Sequence, residues 1–166
     1  MNEQTPRLGF PLLASGQAQK EVTHNEALVL ADALIQPVIQ AVAPPAIPDT
    51  PLPGQCWVVG NGAGGAWSGH DNAIACWTEG GWRFVASREG MRAWSLSDAL
   101  PARREAGGWG LGQIEAASVR IGGNQVVGTQ QPAITNPAGG AIIDAEVRVA
   151  LAAILAALAA HGLIAA

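Results

Sequence analysis

Charge is what this chain has least of. Asp, Glu, Lys and Arg make up 13% of its 166 residues, and Lys20 is the single lysine, where an ordinary soluble domain carries about a quarter. Hydrophobic residues reach 49%. A solitary monomer so poor in charge leaves apolar surface facing water, so the composition points to burial against other copies or a host assembly. The net charge of −4 comes with no basic stripe to neutralise phosphates, which sets nucleic acid aside as a partner. Cysteine is equally scarce. Cys56 and Cys76 have no zinc-ligand spacing, and each is followed by Trp. They either face each other on neighbouring strands as a disulfide or are two buried free thiols, the commoner state.

Catalytic signatures are missing too. There is no Gly-rich phosphate loop ending in Lys-Ser/Thr, no Gly-x-Ser-x-Gly elbow and no His-Glu-x-x-His. No catalytic residue, metal ligand or cofactor is assigned. The start MNEQTPRLGF lacks the basic stretch and apolar run of a signal peptide, so the expectation is synthesis and assembly in the cytoplasm.

The densest polar segment is Gly16–Leu28, GQAQKEVTHNEAL. Before it, residues 1–14 read as an irregular arm broken by Pro6, Gly9 and Pro11, with Leu8, Phe10, Leu12 and Leu13 as its apolar face. Ser15 can cap a helix beginning at Gly16. Thr23 with Glu26 forms a competing capping box, which favours a short turn over 16–21 and the main helix from 24. Leu28, Ala31, Ile35, Val38 and Val42 then recur at helical steps, with Leu34 and Ile39 widening the stripe, until Pro37 kinks or ends the helix near Ile35. Lys20 and His24 share a helical face, as do Glu21 and Asn25, which would suit an acid–base pair. Capping and solvation account for them more simply. Thr23, His24, Asn25 and Glu26 therefore read as a structural joint that orients arm and helix.

Residues 44–54 form a Pro-rich connector and a plausible domain boundary. The texture then changes to short strands with tight turns: 55–59, 73–77 and 82–86, with Glu79-Gly80-Gly81 closing a hairpin between the last two. All six tryptophans lie between Trp57 and Trp109, and GAW, GGW and GGW recur ending at 67, 82 and 109. Exposed rings would stack on sugars, with Trp67, Trp82 and Trp94 the carbohydrate-binding candidates. The plainer reading is that a small β-domain fills its core with indoles. His70 and Asp71 shape a turn, and Glu79, Arg83, Arg88, Glu89 and Arg92 read as exposed charges.

A further strand pair, SVRIGGNQVVG, turns at Gly122-Gly123-Asn124, and a linker over 131–143 follows. Asp144 caps the last helix and Gly162 stops it. Val147, Leu151, Ile154 and Leu158 make a heptad seam with Leu155 alongside, amid alanine. Such a helix can span a membrane, pack within its domain or bundle with copies of itself. Alanine is too weakly apolar and the run too short for the first, and the seam favours the third, an oligomer interface.

RLGFPLLASGQAQKEVTHNEAL at 7–28, GAWSGHDNAIACWTEGGWRFVASREGMRAW at 65–94, and the ending from QPAITNPAGGAIID onward resemble a domain-of-unknown-function family. That family occurs in alphaproteobacterial prophages and gene transfer agents, phage-like particles that carry host DNA between cells. The resemblance covers most of the chain. It implies a virion structural protein, a head spike or fibre component, assembled in the bacterial cytoplasm and released on the particle, with attachment to host capsular polysaccharide. Longer members carry an extended fibre region after the Trp-rich domain, whereas here a terminal helix follows, which suits a short member acting as a spike base. The resemblance brings no catalytic residues.

The expectation is an α+β protein: an N-terminal arm and helix over 1–43, a Trp-rich antiparallel β-domain over 55–130 and a C-terminal Ala/Leu-rich oligomerisation helix over 144–166. Its partners would be itself, as a trimer or pentamer, capsid vertex or fibre proteins, and host polysaccharide, with no membrane span. A carbohydrate-binding adhesin is the alternative. A glycan-degrading enzyme is the distant third, since acidic residues are sparse in the β-domain.

Overall fold

A computed structural model describes residues 4–13, 20–140 and 144–165. The architecture is α+β: an N-terminal helix, a Trp-rich β region and a C-terminal helix. The chain divides into two compact units, Met1–Gln113 and Ile114–Ala166. The division follows neither the Pro-rich connector nor position 130, where the sequence pattern placed boundaries. Connector residue Ile47 packs against the tryptophan cluster and Gly54 donates its N–H to the Trp77 carbonyl at 2.9 Å, so this segment belongs to the first unit.

Helix α1 spans Lys20–Ile35. It is already formed before Thr23, so the expected Thr23/Glu26 capping box does not start it. A capping Thr must be non-helical, whereas the run Lys-Glu-Val-Thr continues as helix. The Ser15 cap and residues 16–19 of the expected turn lie outside the described residues. Pro37 ends the helix as its missing N–H requires. Val38, Ile39 and Val42, which extended the helical stripe in the sequence pattern, are extended backbone instead.

Beyond the helix come β1 (Val38–Ile39), β2 (Cys56–Val58), β3 (Ile74–Thr78) and β4 (Gly81–Val85), then β5 (Arg92–Ser95), β6 (Leu100–Glu105) and β7 (Gly108–Leu111). One sheet has the order β1-β5-β6-β7 and the other β2-β3-β4. All neighbours are antiparallel except β1 with β5. The segment 37–43 is a seam between the sheets. On one side the Pro37 and Ile39 carbonyls accept from Trp94 and Leu96 at 2.9 Å each. On the other, Gln40 N–H donates to the Cys56 carbonyl at 2.7 Å, and Ala43 N–H donates to that of Val58 at 2.9 Å.

The β2-β3-β4 sheet is covered on both faces, which explains its runs of consecutive apolar residues. Cys56, Val58, Ile74 and Cys76 pack with Ala33 of α1, Ile39 of β1 and Ala93 and Ala102 of the other sheet. Trp57, Val59, Trp67 and Ala75 form the opposite layer, with Trp77, Trp82 and Phe84 half-buried against them.

The second unit holds the hairpin β8 (Val119–Ile121) and β9 (Asn124–Val127) and helix α2 (Ala145–Ala160). Gly122 and Gly123 sit at φ +56° and +84°, the left-handed pair that a two-residue hairpin turn requires. Asp144 Oδ1 accepts the Val147 N–H at 3.0 Å, capping α2. At the far end Gly162 at φ +69° lets Leu163 N–H reach the Leu158 carbonyl at 2.9 Å, a left-handed stop.

Candidate functional site

The tryptophans build a core layer before they build a surface. Trp82 of β4 is the hub, with perpendicular rings of Trp77, Trp67 and Trp57 at centroid distances of 5.0, 5.2 and 5.6 Å. Edge-to-face contacts of this kind suit the indole quadrupole. Trp67 enters on a single 3-10 turn, Gly65–Trp67, and is buried, its Nε1 without a hydrogen-bond partner. Trp109 Nε1 donates to the Asn72 carbonyl at 2.9 Å. His70 stacks flat on Phe84 at 3.6 Å, and Asp71 Oδ2 accepts the Gly62 N–H at 3.1 Å, so both side chains shape the loop.

Of the three carbohydrate candidates, Trp67 is thus core, Trp82 is enclosed edge-on by other indoles, and Trp94 has an exposed ring, 44% accessible. The repeated small-residue–Trp motif marks core positions at 67 and 82, because small neighbours let the ring turn inward. Trp94 projects from the outer face of β5, where burial alternates along Arg92, Ala93, Trp94 and Ser95. Its cross-strand partners are Pro101 of β6 and Val38 of β1, and Arg92 and Arg103 are paired one step along. The outer face of β7 carries Gly108 and Gly110, cross-strand from Glu105 and Arg103. The glycines are not an open floor: Glu105 and Gln113 side chains lie over Gly110 and that of Asn72 lies by Gly108, so Trp94 is the exposed aromatic residue of this face.

The expected joint divides. Asn25 clamps the arm, its Oδ1 accepting from Leu13 N–H at 2.9 Å and its Nδ2 donating to the Leu13 carbonyl at 3.0 Å. Glu26 makes an ion pair with Arg83 of β4, joining helix to sheet. Thr23 and His24 are exposed.

A stronger anchor, not picked out from sequence, lies at Asp32. Its buried carboxylate accepts the backbone N–H groups of Arg7 and Leu8 at 2.9 and 2.6 Å. The Arg7 guanidinium reaches back to the carbonyls of Asp32 at 3.0 Å, Ala33 at 2.8 Å and Gln36 at 2.5 Å, closing the end of α1. This exchange satisfies carbonyls that every helix end leaves open. The signal for it was a lone Asp within the apolar stripe of α1.

The thiols of Cys56 and Cys76 are free, buried and 2.8 Å apart. Their shared hydrogen bond, then burial, pushes Cys56 well above the usual thiol range, and the same hydrogen bond holds Cys76 lower. Among the described residues no His, Cys, Asp and Glu side chains gather as a metal-binding group of three, and no helix is long and apolar enough to cross a membrane.

On α2, Val147, Leu151 and Ile154 of the predicted seam are exposed, and Leu155 and Leu158 are half-buried. No residue of the helix is fully buried.

Residues 24–110 match the family described as a protein of unknown function, DUF2793. The match covers just over half of the chain, from within α1 to β7, and the chain belongs to that family. None of the curated proteins matches it.

Proposed function

We propose that this DUF2793 member is a non-catalytic structural protein of a phage-like particle, a prophage virion or gene transfer agent. In this reading it is a head-spike base or fibre component that assembles through α2 as a homo-oligomer. The observation that carries the oligomer is the helix itself: sixteen residues, capped at both ends, with none buried. From Val149 to Ala160 it bears no charged side chain, and a helix apolar all round belongs inside an assembly. Burying each exposed Val, Leu or Ile of the seam is worth about 1.5–3 kcal/mol. The placement on a phage-like particle rests on the motif resemblance at 7–28, 65–94 and the C-terminal region. Light scattering on the full chain is the test. An oligomer that Leu151→Asp and Ile154→Asp convert to a monomer, with helical circular dichroism retained in each subunit, supports it. A native chain that stays monomeric at high micromolar concentration overturns it.

Attachment to host polysaccharide would run through Trp94, the exposed ring beside Arg92. The apolar face of an indole offers a packing surface for the apolar side of a sugar ring. Trp94→Ala should abolish retention on immobilised capsular polysaccharide while leaving assembly intact. Equal retention of both proteins would remove this arm of the reading.

A further inference from the structure

Cys56 and Cys76 are direct partners across β2 and β3. The ladder hydrogen bonds run through their neighbours: Trp77 N–H to the Gln55 carbonyl and Val59 N–H to that of Ala73, each at 2.9 Å. The Cys56 carbonyl instead faces the seam, accepting from Gln40. The two cysteines are therefore a non-hydrogen-bonded pair, the antiparallel position where facing side chains approach most closely. Their sulfurs are 2.8 Å apart, so a bond of about 2.0 Å needs only about 0.8 Å of closure.

We propose that this pair is a latent disulfide, a covalent modification site closed by exchange with a small-molecule disulfide once the protein meets an oxidising medium. One protein thiolate attacks a sulfur of the oxidant RSSR, giving a mixed disulfide and releasing one thiolate. The second protein thiolate then attacks the protein sulfur of that mixed disulfide and expels the other. Two S–H groups are oxidised to one S–S bond, and one RSSR is reduced to two RSH. Either thiol can act first, since the two sulfurs share one hydrogen bond that either can donate, and the thiolate left as acceptor is the nucleophile.

The pair is closed to solvent at both thiols, so exchange requires a local opening. The arm governs it. Gly54, whose carbonyl lies 3.6 Å from the Cys56 sulfur, is roofed by Pro6 and Arg7, each within 3.0 Å of where a Cβ would stand. The roof is tied down by Asp32. Oxidation is therefore slow while the arm is docked and faster when it is released.

The experiment treats reduced full-length protein with oxidised glutathione, then unfolds and alkylates it without reductant for intact mass and peptide mapping. The expected product is a chain lighter by two hydrogens, resistant to alkylation, with Cys56 linked to Cys76. Its melting temperature should be higher by about 5 °C or more and return to the starting value with dithiothreitol. Asp32→Asn should lose its thiols several-fold faster. Cys56→Ala given the same treatment should show no rise. A chain that remains doubly alkylated even in mild denaturant, stable glutathione adducts, or links between chains in place of the internal bond would each overturn the proposal. The mass of the unsubstituted protein decides it even where a variant fails to fold.

Discussion

The two units of this chain are held together by different physics. Met1–Gln113 buries side chains on both faces of one sheet and on the inner face of another. In Ile114–Ala166, Ile164 is the one fully buried hydrophobic residue among those described. The second unit relies on local devices: a glycine-glycine turn, an Asp cap, a left-handed stop, and a tail whose Ala165 and Leu163 backbones bracket Gln131. Local hydrogen bonds each contribute about 1 kcal/mol net, too little to offset the ordering of that many residues. Stability made in a buried core and stability made by local devices respond to different substitutions.

The largest effect belongs to the first unit. Trp67→Ala should cost about 3–5 kcal/mol by opening a cavity under the Trp82 hub, read by urea denaturation. Trp67→Phe should cost distinctly less, because the indole N–H it deletes has no partner. Equal losses would mean that this N–H is satisfied by bound water.

Next comes Asp32→Ala, which strands the Arg7 and Leu8 amides beneath the arm. About 2–3 kcal/mol of destabilisation is expected, with earlier proteolysis in the arm. A loss below about 0.5 kcal/mol would show that the arm contributes little.

In the second unit, Asp144→Ala should cost about 1 kcal/mol of helix stability, seen as helical signal lost before the first unit melts. A single coincident transition, shifted as a whole, would erase the contrast between the units. Smaller still is the Glu26–Arg83 pair, whose side chains are 48% and 35% exposed. A double-mutant cycle should give under about 1 kcal/mol, shrinking with salt.

Asp98 gives the smallest effect. Hydrogen bonds from Ser95 and Ser97 hold its carboxyl below the usual value. A depressed carboxylate stabilises the fold above its unfolded pKa, and that stabilisation fades as pH falls through the lower folded value. An NMR titration should place its midpoint below that of an Asp in an unfolded peptide, and Ser95→Ala should raise it.

Much of this was legible in the sequence, for identifiable reasons. The hairpin at Gly122-Gly123, the Asp144 cap, the Gly162 stop and the break at Pro37 follow from backbone constraints that few residues satisfy. The strands β2, β3 and β4 announced themselves through β-branched and aromatic runs. β5, β6 and β7 did not. Along β5 and β6 the inner face is Ala93, Ser95 and Ala102, small residues that leave almost no apolar alternation, and the outer face carries Arg92, Trp94, Pro101 and Arg103; in β7 Trp109 and Leu111 alternate with glycines. The Trp motif identified a region but not an orientation, since an indole fills a core as readily as it faces a sugar. The lone Asp in the apolar stripe of α1 marked one half of the arm's anchor, but not its partner, because Arg7 and Asp32 meet only after the chain has folded back. Thr23 with Glu26 satisfied a local pattern that continuation of the helix overrode.

The seam at 37–43 has a consequence for how the first unit opens. Its backbone hydrogen bonds alternate between the two sheets, Trp94 and Leu96 donating from one side while Cys56 and Val58 accept from the other. Unfolding of that segment removes hydrogen-bond partners from both sheets at once. Amide exchange at Gln40, Ala43, Trp94 and Leu96 would then follow one common opening rather than two, making the first unit a single foldon despite its two sheets.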